Sequence, residues 1–249
     1  MDPSNENLKK IQDRVFVLLC AFKEICEKEN IWYSLSGGTM LGAVRHNGFI
    51  PWDPDADVVI MLPDKERFRA AFKKHRPTGI LLGNYNSDRH NLHSHDTLYF
   101  ENNEGFEKYD IHLDIFPQVG APSEYKKQEK FAKSASIWNK IIKSKYVDLS
   151  KCLKKNKPLV VCAKIFDFFI PDNCLRRIIR KKETKYNFDD AQYVMAIANY
   201  GKAENCIPKN IYEKMVEMEF NGVKFFIPEE YDIYLTRYYG ADYMTPRRY

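Results

Sequence analysis

The stretch SGGTMLGAVRHNGFIPWDPDADVVIM, residues 36–61, decides the fold that we expect for this chain. A short apolar run at residues 31–35 precedes this stretch and is followed by Gly37 and Gly38. After Thr39, residues 40–46 have a helical pattern. That order predicts a strand, a tight turn and a helix. Glycine lets the backbone pass close to a ligand, and the N–H groups at a helix N-terminus suit a phosphate. We therefore predict that the two glycines and Thr39 bind a substrate phosphate.

Three carboxylates follow within the same stretch. Asp53, Asp55 and Asp57 occupy every second position before the apolar residues 58–61. An extended chain would put all three side chains on one face, where they would repel one another unless a cation lay between them. Oxygen ligands favour Mg²⁺ or Mn²⁺ over zinc. The alternative is an acidic surface turn, since Asp is common in turns.

A second acidic strand is predicted at residues 109–116, YDIHLDIF. Ile111, Leu113 and Ile115 alternate with polar or aromatic residues, so Asp114 should lie on the face opposite the three aliphatic side chains. A carboxylate from a neighbouring strand would complete a metal site with the Asp-x-Asp pair. A surface aspartate on an edge strand is the alternative.

Three residues near the glycines and aspartates are candidates for substrate binding. Arg45 could pair in bidentate fashion with a phosphate, or with the aspartates for structural reasons. His46 lies beside it, at what could also be an exposed helix end. Trp52 offers an aromatic face to a quaternary ammonium group, although an indole packed beside a turn would look the same in the sequence.

Three segments together resemble the LicD family, whose relatives include fukutin and fukutin-related protein. They are GGTMLGAVRHNGFIPWDPDAD at residues 37–57, HLDIFP at residues 112–117, and IPEEYDIYLTRYYGADYM at residues 227–244. The family has an unbroken acidic run before its last aspartate. Here Pro54 and Ala56 interrupt that run, while the Asp-x-Asp-x-Asp spacing is kept.

The resemblance implies an α+β fold, with a nucleotidyltransferase-like mixed sheet flanked by helices. It implies a transferase that moves a phosphorylated alcohol, above all phosphocholine from CDP-choline, to a hydroxyl of a cell-surface glycan or glycolipid precursor, with release of CMP. Mg²⁺ or Mn²⁺ would be held by Asp55, Asp57 and Asp114, and either Asp114 or Asp53 would accept the hydroxyl proton. The alternatives are a nucleotidyltransferase that releases pyrophosphate from a nucleoside triphosphate and an inactive nucleotide-binding relative.

Composition and periodicity supply the remaining elements. Hydrophobic residues make up 44% of the 249, which indicates a globular protein. A polar loop with His90, His93, His95 and Asp96 is expected beside the site, in preference to a zinc site. The patterns predict helices at residues 8–29, 65–74, 207–218 and 229–239, strands at 31–35, 79–83 and 97–101, a strand or buried helical turn at 194–200, and a hairpin at 220–228.

Charge is segregated along the chain. Residues 125–185 contain 18 Lys and Arg but only 5 Asp and Glu, which is a net charge of +13. The whole chain has a net charge of +5, so the remaining residues together have a net charge of −8. This composition predicts a basic helical insertion. It could be a helical subdomain with residues 159–170 as its core, or a surface that docks on an anionic acceptor or membrane. Nucleic acid is not expected as a partner, because no binding motif is present.

These patterns predict three regions: a nucleotidyltransferase-like core at residues 1–120, a basic helical insertion at 121–190, and a C-terminal segment at 191–249 that packs back on the core. The six cysteines form no C-x-x-C pair, which favours free thiols in a reducing compartment. The first residues lack the layout of a signal peptide, and no apolar run approaches a membrane span. We expect a cytoplasmic protein, with peripheral contact at the inner face of the membrane as a further expectation.

Overall fold

The computed structural model describes residues 5–83, 95–102, 104–106, 109, 111–144, 157–169, 172–197 and 201–246. The helices in these ranges are α1 (Asn5–Lys28), α2 (Gly37–His46), α3 (Lys65–His75), α4 (Tyr125–Ser144), α5 (Lys157–Phe169), α6 (Asp172–Glu183) and α7 (Tyr231–Tyr239). The strands are β1 (Tyr33–Leu35), β2 (Ala56–Met61), β3 (Ile80–Gly83), β4 (Asp96–Phe100), β5 (His112–Ala121), β6 (Tyr193–Ala196), β7 (Ile207–Pro208), β8 (Met215–Phe220) and β9 (Val223–Pro228).

A mixed sheet organises the fold. Its order is β1-β2-β5-β4-β3, and β6 and β7 extend it beside the second half of β5. Strands β2 and β5 run parallel, whereas the other neighbours in the sheet are antiparallel. The expected α+β fold with a mixed sheet and flanking helices is confirmed.

The first helix covers one face of this sheet. Its residues Val15, Leu18 and Phe22 are fully buried, and α1 contacts β2, β4 and β5. On the strands, Leu113 and Ile115 are fully buried in the same core. Because side chains alternate along a strand, the residue between them points to the opposite face. Asp114 therefore lies on the face of the sheet that α1 does not cover, near a small apolar cluster that includes Val59 and Phe116.

The C-terminal part of the chain supports α2 at both ends. The predicted hairpin is β8–β9, and the N–H of Asn221 at its turn donates to the carbonyl of Asn47, the C-cap of α2, at 2.8 Å. At the other end, the Tyr234 hydroxyl of α7 accepts the N–H of Gly37 at 2.9 Å. Within α2, a Cβ on Gly42 would lie 2.4 Å from the carbonyl oxygen of Gly48. The helix is therefore pressed tightly against the loop that leads to the aspartates.

The helix predicted at residues 207–218 is wrong. Ile207 and Pro208 form β7 on the edge of β6, a short 3-10 turn follows, and Met215 begins β8. Along β8 the exposed Glu217 and Glu219 alternate with less exposed neighbours, which is the period of a strand. Pairing with β6 and β9 overrides the local helical pattern.

Other boundaries shift without changing the type of element. Helix α2 begins at Gly37, so the glycines form its first turn instead of a turn before it. The strand expected at residues 109–116 is observed as His112–Ala121. The alternative left open at residues 194–200 resolves in favour of a strand, β6, while residues 198–200 lie outside the described ranges.

The basic segment contains three helices where it is described; residues 145–156 and 170–171 lie outside those ranges. Helix α4 packs on β5 and β6 through Phe131, Ala132 and Ala135. An ion pair of 2.7 Å between Lys65 and Glu183 ties α3 to α6, with side chains 12% and 10% exposed. None of the helices in the described ranges combines the length and the apolar character needed to span a bilayer.

Candidate active site

Asp57 and Asp114 form the centre of the candidate site. They are register partners on the parallel strands β2 and β5, and neighbouring strands lie about 4.8 Å apart. Both side chains point to the face of the sheet opposite α1, as the alternation of residues 113–115 predicted for Asp114. The N–H of Asp57 donates to the Thr39 hydroxyl at 2.7 Å, and the carbonyl of Asp57 accepts the N–H of Ser36 at 3.1 Å. The start of β2 is therefore bound to the N-terminus of α2.

The two glycines let carboxylates approach that N-terminus. Gly37 has a φ of +53°, and a Cβ on it would lie 3.1 Å from Oδ2 of Asp57. A Cβ on Gly38 would lie 2.7 Å from Oδ2 of Asp53. Negative charge is favourable at a helix N-terminus. The predicted phosphate-binding groups are partly engaged by the protein itself, because the N–H of Gly37 donates to Tyr234 and the Thr39 hydroxyl accepts the N–H of Asp57.

Of the three alternating aspartates, Asp57 is the one inside a strand. Asp53 is half-buried and Asp55 exposed in the loop before β2. The amide of Gln12 in α1 donates to the carbonyl of Asp53 at 2.9 Å and so fixes this loop. Ala56 is buried in the core beside Leu113. An acidic residue at position 56 would therefore face the core and not the site, so Ala56 removes no carboxylate from the site face.

The carboxylates interact strongly. Burial, followed by the hydrogen bond and the charge of Asp55, raises the pKa of Asp53 to about 8. Burial and then the charges of Asp55, Asp114 and Asp53 raise the pKa of Asp57 well above its usual value, against a smaller opposing effect of His112. The protein thus holds several carboxylates closer together than their charges favour.

Two histidines face the Asp114 carboxylate. The Nε2 atoms of His95 and His112 lie 3.5 and 3.6 Å from Oδ1 of Asp114. Burial alone would raise the pKa of Asp114, but attraction to His95 and His112 outweighs it and holds this pKa well below the usual range. The His95 ring also contacts the Phe116 ring, with centroids 4.7 Å apart. Sequence reasoning expected His95 near the site but gave His112 no role, although its position two residues before Asp114 put it on the same face.

The donor set fits a hard divalent cation. Its groups are carboxylate oxygens, and Oδ1 of Asp114 is buried without a hydrogen-bond partner among the described residues. A cation would offset the repulsion that raises the pKa values of Asp53 and Asp57. In the described part of the chain, no three His, Cys, Asp or Glu side chains are already arranged to hold a metal ion.

A cavity of 240 Å³ lies beside the carboxylates, between α2 and the C-terminal segment. Its lining includes four sequence-predicted residues together with aromatic side chains from the end of the chain. The lining consists of Gly38, Leu41, Arg45, Ile50, Trp52, Asp53, Tyr239, Tyr243 and Thr245. Sequence reasoning missed Tyr239 and Tyr243 as site residues, and the aromatic tail shared with the LicD family was the signal that could have found them.

Arg45 anchors the C-terminal segment at this cavity. Its guanidinium donates to the Tyr243 carbonyl at 2.8 Å and, through Nε, to Nε2 of His46 at 2.9 Å. Burial and the charge of Arg45 lower the pKa of His46, which suits a neutral ring that accepts this bond. On the opposite side, the Tyr239 hydroxyl lies 3.8 Å from where a Cβ on Gly37 would be. The cavity thus adjoins the N-terminus of α2.

His95 is positioned by an ion pair next to it in the chain. The Arg69 guanidinium of α3 donates to both Asp96 oxygens, at 2.8 and 2.6 Å, and Asp96 is 8% exposed. We expect Arg69→Gln to destabilise the protein by about 1–3 kcal/mol, because it leaves a buried carboxylate without its partner. Denaturant unfolding measures this. Arg67→Gln, whose parent side chain is more exposed, is the control, and equal effects of the two substitutions would contradict the assignment.

Comparison with known proteins identifies the architecture. A family model described as "LicD/FKTN/FKRP, nucleotidyltransferase domain" matches residues 30–152. The chain is 28% identical over 254 residues to the lipopolysaccharide cholinephosphotransferase LicD of Haemophilus influenzae, covering 95% of this chain and 93% of that protein. It is 48% identical over 40 residues to the ribitol 5-phosphate transferase FKRP of Homo sapiens, covering 16% of this chain and 8% of that protein. Residues 30–152 therefore match the nucleotidyltransferase domain of the LicD family, and the similarity to the Haemophilus influenzae protein extends over most of the chain.

Proposed function

We propose that this protein transfers a phosphorylated alcohol, phosphocholine first of all, from a CDP-linked donor to a hydroxyl of a cell-surface glycan or glycolipid precursor, and releases CMP. The observation that carries the proposal is the pairing of Asp57 and Asp114 on parallel strands, beside the glycine-containing N-terminus of α2. Relatives named as a cholinephosphotransferase and as a ribitol 5-phosphate transferase support the choice of a phosphorylated alcohol.

Asp57 and Asp114, with Asp55 at the exposed side, would hold Mg²⁺ or Mn²⁺. Such an ion would supply positive charge to offset the negative charge of the donor diphosphate. His95 and His112 keep the Asp114 carboxylate ionised and limit its rotation. Thr39 fixes the backbone of Asp57. The protein's own contribution is thus a set of carboxylates held in place from two strands and one helix end.

Asp53 is the better candidate for the general base. In the reaction, the acceptor oxygen bonds to the phosphorus that bears the alcohol, the bond from that phosphorus to the CMP oxygen breaks, and the hydroxyl proton must move to a base. A base is most effective when its pKa lies near the working pH. The pKa of Asp53 is raised to about 8, whereas that of Asp114 is lowered. The position of Asp53 on the cavity between α2 and the C-terminal segment, and the two histidines beside Asp114, support proton transfer to Asp53 and charge neutralisation by Asp114.

The 240 Å³ cavity is our candidate for the alcohol subsite. Trp52, Tyr239 and Tyr243 offer aromatic surface, which suits a quaternary ammonium group. Arg45 brings a positive charge to the same cavity, but its guanidinium is directed at the Tyr243 carbonyl and at His46. These features favour choline over an uncharged alditol.

The defining experiment is product analysis with CDP-choline, CDP-ribitol and CDP-glycerol, with and without candidate glycan acceptors, in Mg²⁺ or Mn²⁺ and after chelation. We expect CMP from one donor and none after chelation. Release of pyrophosphate from a nucleoside triphosphate would instead support the alternative, a nucleotidyltransferase. Nucleotide binding without any turnover would support an inactive relative.

The alcohol subsite makes a separate prediction about selectivity. Trp52→Ala should lower kcat/KM for CDP-choline on the order of tenfold relative to CDP-glycerol, because a cation loses its aromatic partner while a neutral alcohol does not. Trp52→Phe is the matched control and should keep most of the preference for choline. Equal losses for both donors in Trp52→Ala would contradict this assignment, since they would indicate a general packing role.

A further inference from the structure

Helix α5 presents an apolar stripe to solvent. Val161, Ile165 and Phe169 are 39%, 56% and 75% exposed, and Cys162 beside them is also exposed. Residues four apart lie on one side of a helix, so the stripe extends over about 12 Å of the helix axis. Single exposed apolar residues are ordinary, but a continuous stripe marks a binding surface. Of the readings left open for residues 159–170, these exposed side chains favour a docking surface over a buried core.

Exposed basic side chains lie on α6, the next helix along the chain. Helix α6 buries Ile179 and turns Arg177, Arg180 and Lys181 outward. Among the described residues, none of these three cations has an acidic side chain within ion-pair distance. Only residues 170 and 171 separate the two helices, so the chain holds Phe169 within roughly 20–25 Å of Arg180. Exposed apolar and cationic side chains are therefore carried by two consecutive helices joined by a short connection.

We propose that α5 and α6 form a docking surface for an anionic lipid bilayer, with Ile165 and Phe169 entering the interfacial region and Arg177, Arg180 and Lys181 facing the lipid headgroups. The combination of an apolar stripe with basic neighbours is the chemistry of interfacial binding. Residues 125–185 have a net charge of +13, and the rest of the chain has a net charge of −8. An anionic membrane would attract the first part and repel the second, and would thereby orient the molecule.

A second copy of this chain fits the surface less well. A two-fold contact through α5 would bring together two copies of the basic segment, each with a net charge of +13. Their repulsion would oppose the free energy gained by burying the apolar stripe. A soluble anionic polymer would satisfy the basic side chains but would leave the apolar stripe in water. A bilayer can take up the apolar stripe in its interfacial region and bind the basic side chains through its anionic headgroups.

The docking surface shares no residue with the candidate active site or its cavity. Helix α4 leaves the sheet at the end of β5, which is about 20 Å along the strand from Asp114. Substitutions in α5 and α6 should therefore leave CMP release from a soluble donor unchanged. This separates the present inference from the proposed function, since either one can fail without the other.

Vesicle flotation of the full chain tests the proposal. We expect binding to vesicles of equal parts phosphatidylcholine and phosphatidylglycerol, little binding to pure phosphatidylcholine, and release at about 0.5 M salt. Replacing Arg177, Arg180 and Lys181 together by Gln should lower the partition coefficient on the order of 100-fold. Replacing Ile165 and Phe169 by Ser should lower it at least tenfold. Val17→Ser, which alters an apolar side chain 51% exposed on α1, is the matched control and should bind like wild type.

Several outcomes would overturn the proposal. Wild-type protein that does not float with anionic vesicles, or that binds both vesicle types equally, would do so. So would binding to polyphosphate or RNA without binding to vesicles, or a dimer in sedimentation that the Ile165→Ser/Phe169→Ser variant loses. Thermal unfolding of each variant shows whether it is folded, and wild-type-like flotation by both folded variants would also exclude this surface.

Discussion

Asp57→Asn and Asp114→Asn should each lower CMP release on the order of 1,000-fold, the upper end of the loss when one group that stabilises the transition state is removed. Asparagine keeps the shape of the side chain but removes the charge that balances a divalent cation. Initial rates with the active donor measure the effect. Asp13→Asn on the exposed face of α1 is the matched control and should retain full activity.

The same two variants should differ in stability, which separates this site from a merely acidic surface. The raised pKa of Asp57 means that folding disfavours its charge, so Asp57→Asn should raise the free energy of unfolding measured without divalent cations. The lowered pKa of Asp114 means that folding favours its charge, so Asp114→Asn should lower that free energy. Changes of the same sign in both variants would contradict the electrostatic description of the pair.

Gly42→Ala should destabilise the protein by about 2 kcal/mol and lower Tm by about 5 °C. In an exposed helix the substitution would stabilise by about 1 kcal/mol, because alanine is the better helix former. Here the new Cβ would lie 2.4 Å from the carbonyl oxygen of Gly48 and 3.3 Å from the nitrogen of Ile50. Both are backbone atoms, so α2 or the loop before the aspartates would have to move.

The control for this prediction is Gly83→Ala in β3. Among the described residues, the atom nearest to its Cβ would be in the Tyr99 ring at 3.9 Å, which is an ordinary contact, so the Tm of this variant should change little. Thermal unfolding of both variants measures the difference. A Gly42→Ala protein as stable as the Gly83→Ala protein would mean that the packing of α2 against the loop is looser than described.

Elements with a local signal were predicted well. The apolar stripe of α1, the Asn221-Gly222 hairpin and the helix ending at Gly240 each carry a period or a turn residue within a few positions. The helix at residues 207–218 failed because Ile207 takes its structure from Val194 in another strand. A residue whose partner is distant gives no periodic signal of its own.

The sequence by itself determined the alternating aspartates and the opposite-face position of Asp114, because these depend on a period of two along one segment, and its resemblance to the LicD family implied the α+β class. Tertiary structure alone decided that Asp57 stands beside Asp114, that Gln12 fixes the loop at Asp53 across 41 positions, and that Arg45 binds Tyr243 across 198. It also decided that histidines flank Asp114. These contacts join segments whose separation in the chain carries no information about their distance in space, so only the packed sheet and helices bring them together.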